Sequence, residues 1–177
     1  MKVIFLDIDG VLNTKETYDN IYRNNKLGAY LEVPIDKFRL GYLKTIIDET
    51  DAKIVLSSSF RHFFIKQEDK LVPTSAKGRS LYNWFLQYGI YIYDITPTNG
   101  HKREDEIKQW LFTHDDIEDF IIIDDDPTIF EDLSIKLIQT SKIKQNYLTT
   151  FIKDSFGLCE RHIPEIIDRL GAKNKTK

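Results

Sequence analysis

Val3-Ile4-Phe5-Leu6-Asp7-Ile8-Asp9-Gly10-Val11-Leu12 decides the fold. Four apolar residues run straight into two acids one residue apart. A charge at the rim of a core must be paired or bound to a metal, so the stretch reads as a buried strand, residues 3–8, that delivers carboxylates to its end. Phe120-Ile121-Ile122-Ile123-Asp124-Asp125-Asp126 repeats the design. In one parallel sheet the acids of both strands meet at the carboxyl edge, where open α/β folds hold their sites. Several oxygens there can bind Mg2+ with one Asp left to attack, which is the equipment of phosphoryl transfer.

Working outward, a helix is expected from Asp36, because Leu40, Leu43, Ile46 and Ile47 share one face. Ala52–Leu56 reads as a second core strand. Gly78–Tyr88 reads as a helix through Leu81, Trp84 and Phe85, and Tyr91–Ile95 as a short strand. A turn at Thr96-Pro97-Thr98-Asn99-Gly100 precedes a helix with Ile107, Trp110 and Leu111 as its apolar stripe. Ile135–Ile138 is a further strand, and His162–Leu170 a closing helix. Asp126 before Pro127 predicts the N-cap of a helix through Ile129, Phe130 and Leu133. Residues 13–33, polar and tyrosine-rich, read as an excursion over the site, and residues 139–160 as loop, short helix or extra edge. Strands alternating with helices predict an α/β fold, a parallel sheet with helices on both faces. Residues 1–171 are expected to form a single domain, with 172–177 a frayed basic tail.

The motifs resemble those of the haloacid dehalogenase (HAD) superfamily of phosphohydrolases. Asp7-Ile8-Asp9-Gly10-Val11 is similar to its first motif, Asp-x-Asp-x-Thr/Val. Lys53-Ile54-Val55-Leu56-Ser57 matches the second, a hydrophobic strand closed by Ser or Thr, and Ile123-Asp124-Asp125 matches the fourth. Taken with Ser57-Ser58-Ser59-Phe60-Arg61, the ordered set resembles the small HAD domains of RNA-repair (Swiss Army knife) proteins. The resemblance implies a HAD-like, Rossmann-type sheet with a minimal cap, whose open site suits a bulky substrate.

It also implies roles. Asp7 would be the nucleophile, forming an aspartyl-phosphate, and Asp9 the general acid and base. Asp7, Asp9, Asp125 and Asp124 would form the Mg2+ site, with Asp9 contributing its backbone carbonyl and Asp124 orienting the third-motif cation. Ser57, Ser58 and Arg61 are candidates to hold the substrate phosphate, although Ser-Ser-Ser is also well suited to a helix N-cap, and Arg61 equally suits a pair with a surface acid. Lys102 and Arg103 compete for the third motif. Counting back from Ile107 favours Arg103, while Glu104 stands where related chains often carry glycine.

Composition bounds the partners. A net charge of −3 gives no global attraction to nucleic acid or anionic membrane, leaving only a local basic patch to draw RNA. Lys142, Lys144 and Lys153 could track a phosphate backbone but more readily form a solvated face. Tyr18, Tyr22, Arg23, Tyr30, Phe63 and Phe64 could stack a base, although local packing is the commoner use of such aromatics. His101 reads as an exposed loop residue, and His114 and His162 as surface or capping residues. Cys159 is the single cysteine, which excludes an internal disulfide and zinc-type clusters. No signal precedes the first strand and no apolar run approaches ~20 residues, so a cytoplasmic protein without membrane contact is expected. The expected substrate is a phosphomonoester: a nucleotide, an oligonucleotide end or another phosphorylated molecule. A phosphotransferase and a non-catalytic phosphate- or partner-binding module are the rival readings.

Overall fold

The computed structural model describes residues 1–24, 32–68, 70–98, 102–145 and 151–173. Five strands form one sheet: β1 (Lys2–Leu6), β2 (Lys53–Leu56), β5 (Ile92–Ile95), β6 (Asp119–Asp124) and β7 (Leu137–Gln139), in the order β5-β2-β1-β6-β7. Every pairing among them is parallel. The two strands that end in acids are neighbours, with Leu6 opposite Ile123.

The alternation of side chains along a strand splits the apolar residues between two faces. Ile4, Leu6, Ile54, Leu56, Ile121 and Ile123 pack on one side beneath α2 (Lys37–Thr50), α3 (Ala76–Gln87) and α5 (His162–Leu170). Val3, Phe5, Val55 and Ile122 pack on the other against Ile107 and Trp110 of α4 (Arg103–Phe112). Strands buried on both faces explain why these runs read as continuously apolar.

Three stretches differ from the sequence reading. The excursion after β1 contains a helix, α1 (Lys15–Asn24), in a segment whose polar composition reads as loop. The helix expected through Ile129, Phe130 and Leu133 is absent. Asp126 does cap and Pro127 does start a turn, but that turn is a single 3-10 turn, Pro127–Ile129, followed by a second at Ser134–Lys136. Finally, two antiparallel hairpins flank the sheet: β3–β4 (Phe64–Gln67 with Lys70–Pro73) and β8–β9 (Ser141–Gln145 with Phe151–Ser155). The second accounts for residues 141–145 and 151–155 of the stretch that read as loop, short helix or extra edge. Among the described residues no helix is long and apolar enough to cross a membrane.

The anchor of α2 ties three segments together. Asp36 caps the helix by accepting from Phe38 N at 2.9 Å and Arg39 N at 3.3 Å, and its carboxylate pairs with the Arg39 guanidinium. Arg39 in turn donates to Phe156 O at 2.8 Å, just beyond β9. Asp36→Ala is therefore expected to cost about 1–2 kcal/mol, the upper range for a lost N-cap, and Asp36→Ser to recover most of it. Urea unfolding of both variants measures the difference.

Candidate active site

The backbone ladder continues one residue past the strand ends, and that continuation builds the site. Asp7 N donates to Ile123 O (3.0 Å), Ser57 N to Leu6 O (3.1 Å) and Thr140 N to Asp124 O (3.0 Å). Asp7, Ser57 and Asp124 thus stand side by side on the carboxyl edge. Beyond Asp7 the chain turns sharply, with Ile8 O accepting from Val11 N and Leu12 N. Gly10 takes φ +82° in that turn, and a Cβ there would overlap the Asp125 carboxylate. Glycine is needed for both the backbone angle and the approach of the two acid-bearing loops.

Asp7, Asp124 and Asp125 are all buried, and each offers an oxygen within 4.8 Å of the others. Arg103, the first residue of α4, reaches between them: Nη1 lies 3.2 Å from Asp7 Oδ1 and pairs with Asp124 Oδ2. Lys102, one residue earlier, is exposed and makes no side-chain cap. Burial pushes the Asp7 carboxyl up to about 7; Arg103 opposes the rise, while Asp124, Asp125 and Asp9 add to it. Burial likewise raises Asp124 against the pull of Arg103. For Arg103 the burial penalty is outweighed by Asp7 and Asp124, which hold its guanidinium charged.

The donor set fits a divalent cation. Once ionised, three carboxylates against one guanidinium would leave a charge of −2 in a buried space, and all the offered ligands are hard oxygens. Asp9 stands apart: its carboxylate is exposed and is not one of the three that converge. Its Oδ1 accepts from Asn13 Nδ2 and from Tyr18 OH, each at 2.9 Å.

The expected phosphate residues separate. Ser57 Oγ is buried and has no hydrogen-bond partner among the described residues, a costly state that a ligand oxygen would relieve. Ser58 is the cap of the 3-10 turn Ser59–Phe63, accepting from Phe60 N at 3.1 Å. Arg61 departs from the expected phosphate clamp. It is turned inward, bound at 2.7 and 2.6 Å to both oxygens of Glu106 while donating to Ser57 O and Ser58 O. That buried pair joins the Ser57 loop to α4. Glu104, the residue in place of glycine, accepts from Glu131 N (2.7 Å) and Leu133 N (2.9 Å), and so pins the loop after β6.

Several contributors had little sequence signal. Ser141 Oγ donates to Asp125 O and Ser155 Oγ to Asp125 Oδ2, and the two serines face each other across the base of the β8–β9 hairpin. Thr140 Oγ1 donates to Gly10 O at 2.9 Å. Asn13, four residues beyond Asp9, is a fully buried amide. Among the described residues, Phe63 and Phe64 do not join an aromatic platform: Phe64 is in the core, and Phe63 packs edge-on against Phe60 at 5.6 Å. Tyr30, His101 and the side chains of Tyr22, Lys144 and Lys153 lie outside the described residues; Lys142 is exposed. His114 stacks on Trp110 at 3.7 Å. His162 is a buried cap, its Nδ1 accepting from Cys159 N at 3.1 Å, where a surface position was open.

A parallel sheet with this set of acids at its carboxyl edge defines an α/β domain of the HAD class. Residues 3–149 match the family model described as the HAD domain in Swiss Army Knife RNA repair proteins, and the chain belongs to that family. Comparison with curated proteins and with solved structures gave no match.

The raised Asp7 carboxyl has a consequence for stability. A folded-state value above the ordinary 3.8 means that the folded protein holds this proton more tightly than the unfolded chain. The stabilisation is complete below about pH 4 and is lost as pH rises through about 7. Asp7→Asn should therefore stabilise the chelator-treated protein at pH 8 by on the order of 2–4 kcal/mol, with a smaller gain at pH 5. Urea unfolding at the two pH values measures it; an equal gain at both would show that Asp7 ionisation is not the cause.

Proposed function

We propose that the protein is a Mg2+-dependent phosphomonoester hydrolase that works through an aspartyl-phosphate at Asp7. The observation that carries this reading is Arg103 held between Asp7 and Asp124 beside the unpartnered hydroxyl of Ser57. An Asp attacking a phosphate dianion faces repulsion, and a fixed guanidinium 3.2 Å from Asp7 offsets it. Asp7, Asp124 and Asp125 would hold Mg2+, with the Asp9 carbonyl as the family resemblance suggests; the ion supplies further positive charge against the phosphoryl oxygens.

Asp7 attacks phosphorus in line as the ester oxygen leaves with a proton from Asp9. Ser57 Oγ donates to a phosphoryl oxygen, gaining the partner it lacks. Water then attacks phosphorus, giving a proton to Asp9 as the Asp7–phosphorus bond breaks and releases Asp7. Asp124 fixes Arg103, and Ser58 and Arg61 act on this chemistry through the backbone of the Ser57 loop. The family's description supports a nucleotide or polynucleotide-end phosphate as substrate, and a cytoplasmic setting accords with such a substrate.

A panel of nucleotides, 3′- and 5′-phosphorylated oligonucleotides, sugar phosphates and phosphopeptides tests the reading. Phosphate release is expected with Mg2+ and abolished by chelator. Asp7→Asn should remove turnover with the fold intact, and Asp9→Asn should slow it by about 10²–10⁴-fold. Full turnover by folded Asp7→Asn would eliminate the covalent route.

The two neighbouring cations give a sharper comparison. Successive residues at a helix start diverge by about 100°, so only one can face the nucleophile. Arg103→Ala should lose on the order of 10²–10³-fold in kcat, while Lys102→Ala keeps most of it. The reverse outcome would transfer the role to Lys102.

A further inference from the structure

Asn13 and Tyr18 form a feature that the reaction outlined above leaves unexplained, and the following inference rests on that reading. Both residues donate to the same oxygen, Asp9 Oδ1, each at 2.9 Å. They also approach each other, with Asn13 Nδ2 3.4 Å from Tyr18 OH. The Asn13 side chain is fully buried, and its Oδ1 accepts from Gly10 N at 3.2 Å. That bond fixes the amide's sense, because the oxygen must face the Gly10 N–H and the nitrogen must therefore face Asp9. Tyr18 is set by the start of α1, where Tyr18 N donates to Thr14 O at 3.1 Å and Thr14 N donates to Thr17 Oγ1 at 3.1 Å.

The chemistry of a carboxyl group makes this convergence informative. Two donors on one oxygen leave no room for a proton there, so the acid form of Asp9 carries its proton on Oδ2. Among the described residues Oδ2 has no hydrogen-bond partner, and Asp9, Tyr18, Asp125 and Ser155 line one cleft of about 270 Å³. An exposed carboxylate with two rotatable bonds would otherwise sample several directions. A surface Asp in need only of solvation has water for that, and does not call for a buried amide and a helix-borne phenol.

We propose that Asn13 and Tyr18 are positioning residues that hold Asp9 by Oδ1, so that Oδ2 faces the oxygen of the leaving group. In the first step the Asp7–phosphorus bond forms and the ester P–O bond breaks as the Oδ2 proton passes to the departing oxygen. In the second, water oxygen bonds to phosphorus, the Asp7–phosphorus bond breaks and a water proton returns to Oδ2. Protons balance over the cycle, and neither positioning residue changes its own protonation.

Leaving-group dependence separates this role from a merely structural one. An alkyl phosphate has a basic leaving oxygen that needs the proton, whereas p-nitrophenol departs well without it. Tyr18→Phe, which keeps the half-buried ring and removes only the donor, should lower kcat/KM on an alkyl phosphate by about tenfold or more. That is a fraction of the 10²–10⁴ that general acid catalysis provides. On p-nitrophenyl phosphate kcat/KM should change little, because it reports only the steps through departure of the leaving group, whereas the second step, which also uses Asp9, is common to both esters. In an Asp9→Asn background Tyr18→Phe should add no further loss, since no acid remains to position. Thermal melting checks that the variant folds, and Tyr18→Phe avoids the buried Asn13, whose replacement endangers the turn itself. Equal losses on both esters, or a full additional loss in the Asp9→Asn background, would overturn the assignment. A wild-type protein inactive on both esters with Mg2+ would instead remove the hydrolase reading, and this inference with it.

Discussion

One guanidinium among three buried carboxylates is the constraint around which the molecule is arranged. Arg103 contacts Asp7 and Asp124 while Asp125 stands close by. Like charges so near one another in low dielectric are costly, and burial alone would drive the acids to take up protons. The rise of Asp7 to about 7 records that tension, since Arg103 removes only part of it. A site of this kind is unstable by construction, and the neighbouring elements hold it closed.

Those elements act on the backbone more than on the reacting groups. The Arg61–Glu106 pair is buried at both ends and welds the Ser57 loop to the helix that carries Arg103. Glu104 grips the loop beyond β6 by two backbone N–H groups, whose donation holds its carboxyl below the ordinary carboxylate range against the effect of burial. Ser141 and Ser155 clasp Asp125 from the two strands of one hairpin. Each motif residue is therefore braced by a partner from another element, the arrangement that preorganised electrostatics requires.

The central strands were legible because a strand buried on both faces leaves an unmistakable apolar run, and because acids at its end contradict the core behind them. Helix α2 was legible from Leu40, Leu43 and Ile46 at helical spacing. The spacing back from Ile107 also picked out Arg103, the cation that in the structure reaches Asp7. Other parts left weaker traces. Helix α1 is short and polar on average, and although its sequence is amphipathic, few apolar residues mark the face. The hairpins β3–β4 and β8–β9 lie outside the main sheet, and β3–β4 buries too little to alternate clearly. Pro127 and Asp126 signalled a start truthfully but not its length, because a 3-10 turn begins with the same residues as a helix. Arg61 illustrates a deeper limit. Its partner is 45 residues away, and no local pattern says whether an arginine after a serine run faces a ligand or an inward glutamate.

The division between legible and hidden residues follows the division of labour. Apart from Arg103 at the start of α4, the groups that would meet the phosphate sit at or just past strand ends, where the backbone fixes their positions and the sequence announces them. Asn13, Tyr18, Ser141 and Ser155, which hold those groups, come from a turn, a helix and a hairpin assembled around the sheet. Such additions are free to vary in length and sequence without disturbing the parallel core. In the proposed hydrolase they also flank the side from which a leaving group would approach Asp9. Substrate preference would therefore be set by α1 and the β8–β9 hairpin, while the sheet edge keeps one chemistry unchanged.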